Sequence, residues 1–152
     1  MKVAFGTYFF IVLALLAGMM MPTQAAINNR LSTFVDNPVL AAFVSFVIGT
    51  IALFVYILMA GIPLGNLASL RQATLISWTG GVLGAFFVAS AVILVPRLGV
   101  ALTFSLIVAG QMVITLVLDH YGFLGVPVKE ISLYRLAGVA LIVSGVVLIR
   151  KF

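Results

Sequence analysis

No charged side chain occurs in residues 3–29, 37–70, 72–96, 98–118 or 136–149, and this spacing limits what the chain can form. Crossing about 30 Å of hydrocarbon takes roughly 20 helical residues. The first four runs suffice outright. The fifth has 14 residues, and Arg135 can snorkel from its first turn, extending the helix back toward Ile131. Backbone polar groups cannot stay open in lipid, and long apolar runs without period-2 alternation exclude a barrel. The pattern predicts an all-α integral membrane protein, a single transmembrane domain over 1–152. Its five helices fall near 3–31, 38–61, 75–95, 98–118 and 133–150.

Composition agrees. A soluble domain carries about a quarter charged residues, whereas this chain carries 7%, with a mean hydropathy of +1.36. Too little polar surface exists to cover a globule, and disorder needs the opposite composition. The net charge of +5 comes from scattered cations, with Arg150-Lys151 as their only adjacent pair. Such scatter makes no phosphate-tracking stripe, so nucleic acid is not an expected partner. The absence of cysteine excludes disulfides, iron–sulfur clusters and thiolate metal sites.

Lys2, an apolar stretch and Thr23-Gln24-Ala25 resemble a secretory signal and its cleavage site. The apolar segment is long for a signal core, however, and membrane protein follows it, so helix 1 is expected to be retained. Asp36-Asn37-Pro38 offers an N-cap candidate and then proline at the first helical position, which starts helix 2. Pro63 and Gly65 follow its end. Pro96-Arg97 predicts a tight turn between helices 3 and 4.

The cations also bear on orientation. Lys2, Arg71, Lys129 and Arg135 fall on the N-terminal side; Arg30, Arg97, Arg150 and Lys151 fall on the other. The positive-inside rule works through a Lys/Arg excess, and a four-to-four split supplies none. The chain is therefore expected either to insert both ways and pair antiparallel with itself, or to be oriented by a partner subunit. Tyr8, Tyr56, Trp78, Tyr121 and Tyr134 all lie on the N-terminal side, and an antiparallel pair restores aromatic belts to both interfaces.

Enzyme signatures are nearly missing. His120 is the single histidine, beside Asp119, and nothing completes a metal set or a nucleophilic triad. No catalytic residue, metal or cofactor is expected. Small residues are a stronger signal, because helices in lipid associate through close backbone approach. Gly80 and Gly84 form GxxxG on helix 3, Ala41, Ser45 and Gly49 repeat on helix 2, and Gly138 and Gly145 stand two turns apart on helix 5. They read as helix-packing or dimer contacts.

Polar residues inside apolar helices are the functional candidates. Gln24 and Asn28 lie one turn apart on helix 1, just after Pro22, which can free a carbonyl and mark a hinge. The expected first helix is about 43 Å long at 1.5 Å per residue, so both amides lie toward its C-terminal end. Helix 4 carries Gln111, Thr115 and Asp119 at the same spacing. Gln111 reads equally as an interhelical hydrogen bond or a solute contact.

An ordered set of motifs resembles the YdcZ-like family of bacterial inner-membrane proteins, in the drug/metabolite transporter superfamily. It runs Pro22-x-Gln24-x-x-x-Asn28-x-x-Leu31, then Ser45-Phe46-x-x-Gly49-Thr50, then Trp78-x-Gly80-Gly81-x-Leu83-Gly84-Ala85. Pro96-Arg97-x-Gly99, Gly110-Gln111, Asp119-His120-x-Gly122-x-x-Gly125-x-Pro127 and Arg135-x-x-Gly138 complete it. The resemblance implies a five-helix half of a ten-helix transporter fold, assembled by dimerisation or by pairing with a related chain. It also implies export across the inner membrane. Gly138 and Gly145 are similar to the glycine spacing on the last helix of small multidrug-resistance transporters, where that helix joins the dimer. Those transporters carry a membrane-embedded glutamate on helix 1. Here no acid stands between Val3 and Arg30, so cation–proton exchange is not implied.

The expected function is small-solute export by alternating access as an antiparallel dimer. Gln24, Asn28, Trp78 and Gln111 are expected to line the path, and neutral amides suit a neutral or zwitterionic solute. Any coupling or gating is expected at Asp119, His120 or Arg135, with an Asp119–Arg135 pair as the structural alternative. The rival reading is a non-transporting scaffold or accessory subunit of a larger complex.

Overall fold

The computed structural model describes residues 2–152, with side chains from residue 6 onward. Five α-helices carry the chain: α1 (Lys2–Val35), α2 (Pro38–Met59), α3 (Leu75–Leu98), α4 (Val100–Tyr121) and α5 (Leu133–Lys151). Each is long and apolar enough to cross a membrane, and no strand occurs among the described residues. The chain divides into two compact units, Met1–Arg97 and Leu98–Phe152.

In the first unit α1 runs on through Pro22 to Val35. Asp36 then takes a left-handed φ of 54° and Asn37 caps α2, accepting from the amides of Val39 and Leu40 at 2.8 and 3.1 Å. Pro38 sits at the first helical position, where its missing N–H is no loss. α1 packs back on α2. The buried residues of these two helices are small: Ala25 and Asn28 on α1, Ala41 and Ala42 on α2. Val88 and Val92 of α3 join Ala42 in an apolar cluster. A 3₁₀ helix over Leu64–Gln72 links α2 to α3.

The turn after α3 differs from the sequence expectation. Pro96 and Arg97 remain inside α3, and the chain turns at Gly99, with φ +77°. Proline near a helix end forfeits one hydrogen bond, whereas a positive φ is open chiefly to glycine, so the turn falls there.

In the second unit α4 packs against α5. Thr103 is fully buried, and its hydroxyl donates to the Gly99 carbonyl at 2.7 Å. Gly122 ends α4 in the left-handed region at φ +63°, and its amide donates to the Leu118 carbonyl. Ser132 caps α5 by accepting from the Arg135 amide at 3.3 Å.

Most large apolar side chains of the described residues are exposed, from Tyr8 on α1 to Ile149 on α5. In water this would be an aggregate. Against lipid tails it is the compatible surface, because lipid is as apolar as the side chains.

Candidate functional site

Between α1 and α2 lies an open pocket of about 500 Å³. Its polar side chains are Thr23, Gln24 and Asn28 from α1 and Ser45 from α2. Apolar walls come from Met20, Met21, Ile27, Leu31 and Ile48. The α1 members recur every three or four residues, which sets them along one helical face.

These polar groups are not equivalent. The Thr23 hydroxyl donates to the Met19 carbonyl at 2.9 Å, so its proton is committed to the backbone. Gln24 is exposed and Ser45 half-buried. Asn28 is 3% exposed, and its Nδ2 has no hydrogen-bond partner among the described residues. Buried polar groups are nearly always paired, so each unpaired one needs a physical reason. Just upstream, Pro22 has no N–H to offer the Gly18 carbonyl, although the helix continues through it.

Trp78 stands on α3 in the same unit, 56% exposed, and does not line this pocket. Gln111 belongs to the second unit. Its side chain is exposed, and its carbonyl accepts the Thr115 hydroxyl at 2.7 Å.

At the loop joining α4 to α5, Asp119 and Arg135 form an ion pair. The Arg135 guanidinium also donates to the carbonyls of Lys129 at 2.8 Å and Glu130 at 3.4 Å. The Lys129 amide returns a bond to the Asp119 carbonyl at 2.8 Å. His120 Nδ1 accepts from the Ile131 amide at 3.4 Å, and its ring meets Tyr121 edge-on at 4.8 Å. Asp119, His120 and Arg135 are thus brought together, as a clasp closing the loop. Among the described residues, no three His, Asp or Glu side chains group as a metal site would require.

The glycines divide by environment. A Cβ on Gly84 would stand 3.6 Å from the Phe46 ring of α2, an ordinary packing distance. Gly80, Gly138 and Gly145 face open space within the chain. Gly138 and Gly145 each border a groove between α4 and α5, of about 240 and 340 Å³ respectively.

Sequence reasoning reached Gln24 and Asn28 but not the apolar walls around them. The signal was present, since Met20, Ile27 and Leu31 stand three or four residues from one amide or the other.

No curated protein and no solved structure matches the chain. One family model does, over residues 9–148, and its description is "Putative inner membrane exporter, YdcZ". With that match over nearly all of a chain whose five helices are each long and apolar enough to span a membrane, the protein belongs to this YdcZ family and is a multi-pass protein of the inner membrane.

Proposed function

We propose that this protein exports a small neutral or zwitterionic solute by alternating access, paired antiparallel with a second copy or a related chain. Five helices long enough to span would make half of a ten-helix inverted repeat, and two halves in opposite orientation generate the symmetry common among secondary transporters. The observation that carries this reading is Asn28. Its amide lies buried beside a pocket with Nδ2 unpartnered, within a span apolar enough to cross the bilayer. Intramembrane polar groups of this kind mark solute paths.

Gln24 is the second amide of the path. Trp78 and Gln111 line the rest of the path in the assembled pair. Pro22, two residues before Gln24, is the hinge, because the carbonyl it leaves without a helical donor weakens α1 there. Any proton coupling or gating runs through the Asp119–His120–Arg135 clasp. Gly80, Gly138 and Gly145, open within one chain, are the surfaces on which the pair closes.

Flux into proteoliposomes containing the purified chain alone tests the proposal. Passage of a neutral or zwitterionic solute, lost on Asn28→Ala with the dimer intact, is the expected result. No flux across a broad panel, with a fixed partner copurifying, would favour the accessory-subunit reading instead.

A further inference from the structure

We infer that the α1–α2 pocket of each chain is a complete binding site for an uncharged solute, one with an apolar body and an amide or hydroxyl group. In this reading the Asn28 amide, whose unpaired nitrogen is buried behind the pocket wall, turns toward the pocket to receive that group. The inference rests on the transport reading for the solute's passage, but narrows its chemistry from neutral or zwitterionic to uncharged.

Charge comes first. None of the residues lining the pocket is ionisable. An ion placed in this open pocket, within a membrane span, would give up much of its hydration with no opposite charge to compensate, and such a transfer is unfavourable unless the ion is paired. A zwitterion meets the same objection at both ends.

The polar group comes next. A buried amide whose nitrogen finds no partner destabilises the fold, and an isosteric apolar side chain would remove that penalty. Terminal amide torsions are broad and roughly two-fold, so a half-turn of the Asn28 amide exchanges its N–H₂ and its oxygen. A partner that both donates and accepts satisfies either orientation. Amides and alcohols do both; ketones, ethers and esters only accept. The Ser45 hydroxyl on the facing helix offers a second such group.

Size and walls complete the description. A volume of about 500 Å³ lies within the range of small-molecule sites. Met20 and Met21, flexible and polarisable, conform to apolar bodies of differing shape. Every lining residue comes from α1 or α2. Each chain of a pair therefore carries its own site, and binding saturates at one solute per chain.

The test titrates the full chain in nanodiscs with two neutral probes, N-acetyl-leucinamide and cyclohexanol. N-acetyl-leucine and leucinamide serve as anionic and cationic counterparts with the same isobutyl body. Isotope-labelled asparagine reports the side-chain amides of Asn28, Asn29, Asn37 and Asn66 separately. The neutral probes should shift the Asn28 signal, saturating at one per chain. Either charged analogue should bind at least about tenfold more weakly, as should both neutral probes to Asn28→Leu.

Asn28→Leu should also melt no lower than the parent and keep its oligomeric state. A structural amide would show the opposite. A lowered melting temperature or a dissociated pair in Asn28→Leu would overturn the inference, as would equal binding of the charged probes or an unmoved Asn28 signal. Flux separates the two proposals. Binding at Asn28 without flux removes transport and leaves the site, whereas flux undiminished in Asn28→Leu removes the site and leaves transport.

Discussion

Arg135, in the first turn of α5, pairs with Asp119 at the end of α4, and the same guanidinium holds the carbonyls of Lys129 and Glu130. One planar fork therefore fastens the α4–α5 loop at three points. Both partners are partly exposed, with side chains 30% and 22% accessible for Arg135 and Asp119. The ion pair itself is thus worth under about 1 kcal/mol, and the carbonyl bonds add more than the charge does.

Arg135→Ala should accordingly destabilise more than Asp119→Asn, by about 1–2 kcal/mol against less than about 1. Arg135→Lys should recover little, because an ammonium cannot reproduce a fork serving three acceptors. Unfolding in mild detergent micelles measures the order. Equal losses for the alanine and asparagine variants would mean that the pair, not the carbonyl bonds, dominates.

A second prediction concerns Gly122. Its φ of +63° is unfavourable for any residue with a Cβ, and that Cβ would stand 2.7 Å from Val128 Cγ2. Gly122→Ala should cost about 1–2 kcal/mol from the backbone alone, with the clash in addition. Adding Val128→Ala should relieve the clash and leave the backbone cost. Partial rescue in the double variant, read by thermal melting, is the expected outcome, and full rescue would show that the clash was everything.

The capping of α2 is open to the same treatment. Asn37 accepts from two amides, so Asn37→Ala should cost about 1 kcal/mol, while Asn37→Asp keeps the acceptor and most of the stability. Loss on both substitutions would place the side-chain nitrogen, not the oxygen, at the origin of the effect.

The spans and this cap were legible in the sequence because they rest on local chemistry: charge-free runs for the helices, Asn37-Pro38 for the cap. The turn at Gly99 was misread at Pro96, since a proline near a helix end does not by itself end the helix. The 3₁₀ helix over Leu64–Gln72 carries no strong local signal. Asn28 shows the limit most clearly. In sequence Gln24 and Asn28 are alike, two amides one turn apart. In the fold Gln24 is exposed and Asn28 is buried, because four residues advance the helix by somewhat more than one turn and Asn28 swings under the α1–α2 contact. Which of two neighbouring polar groups is buried depends on where the partner helix lies, and that is a tertiary fact.

The final prediction follows from the even division of the cations, four toward each end of the helices. If the chain inserts both ways, single cysteines at position 36, between α1 and α2, and in the 122–132 loop should each be labelled from both sides of the membrane in intact cells. Membrane orientation responds to a Lys/Arg excess near the helix ends, and a chain poised at balance responds most steeply. Two lysines added after Phe152 should therefore restrict each connection to labelling from a single side, opposite for the two. If antiparallel pairing is required for transport, that same variant should lose flux when expressed alone. Coexpression with a chain biased by two lysines in the Leu64–Gln72 segment should restore it, since the two would then insert oppositely. Labelling of the unmodified chain from one side only would remove dual insertion and with it the antiparallel homodimer, leaving a partner subunit of opposite orientation as the required second half.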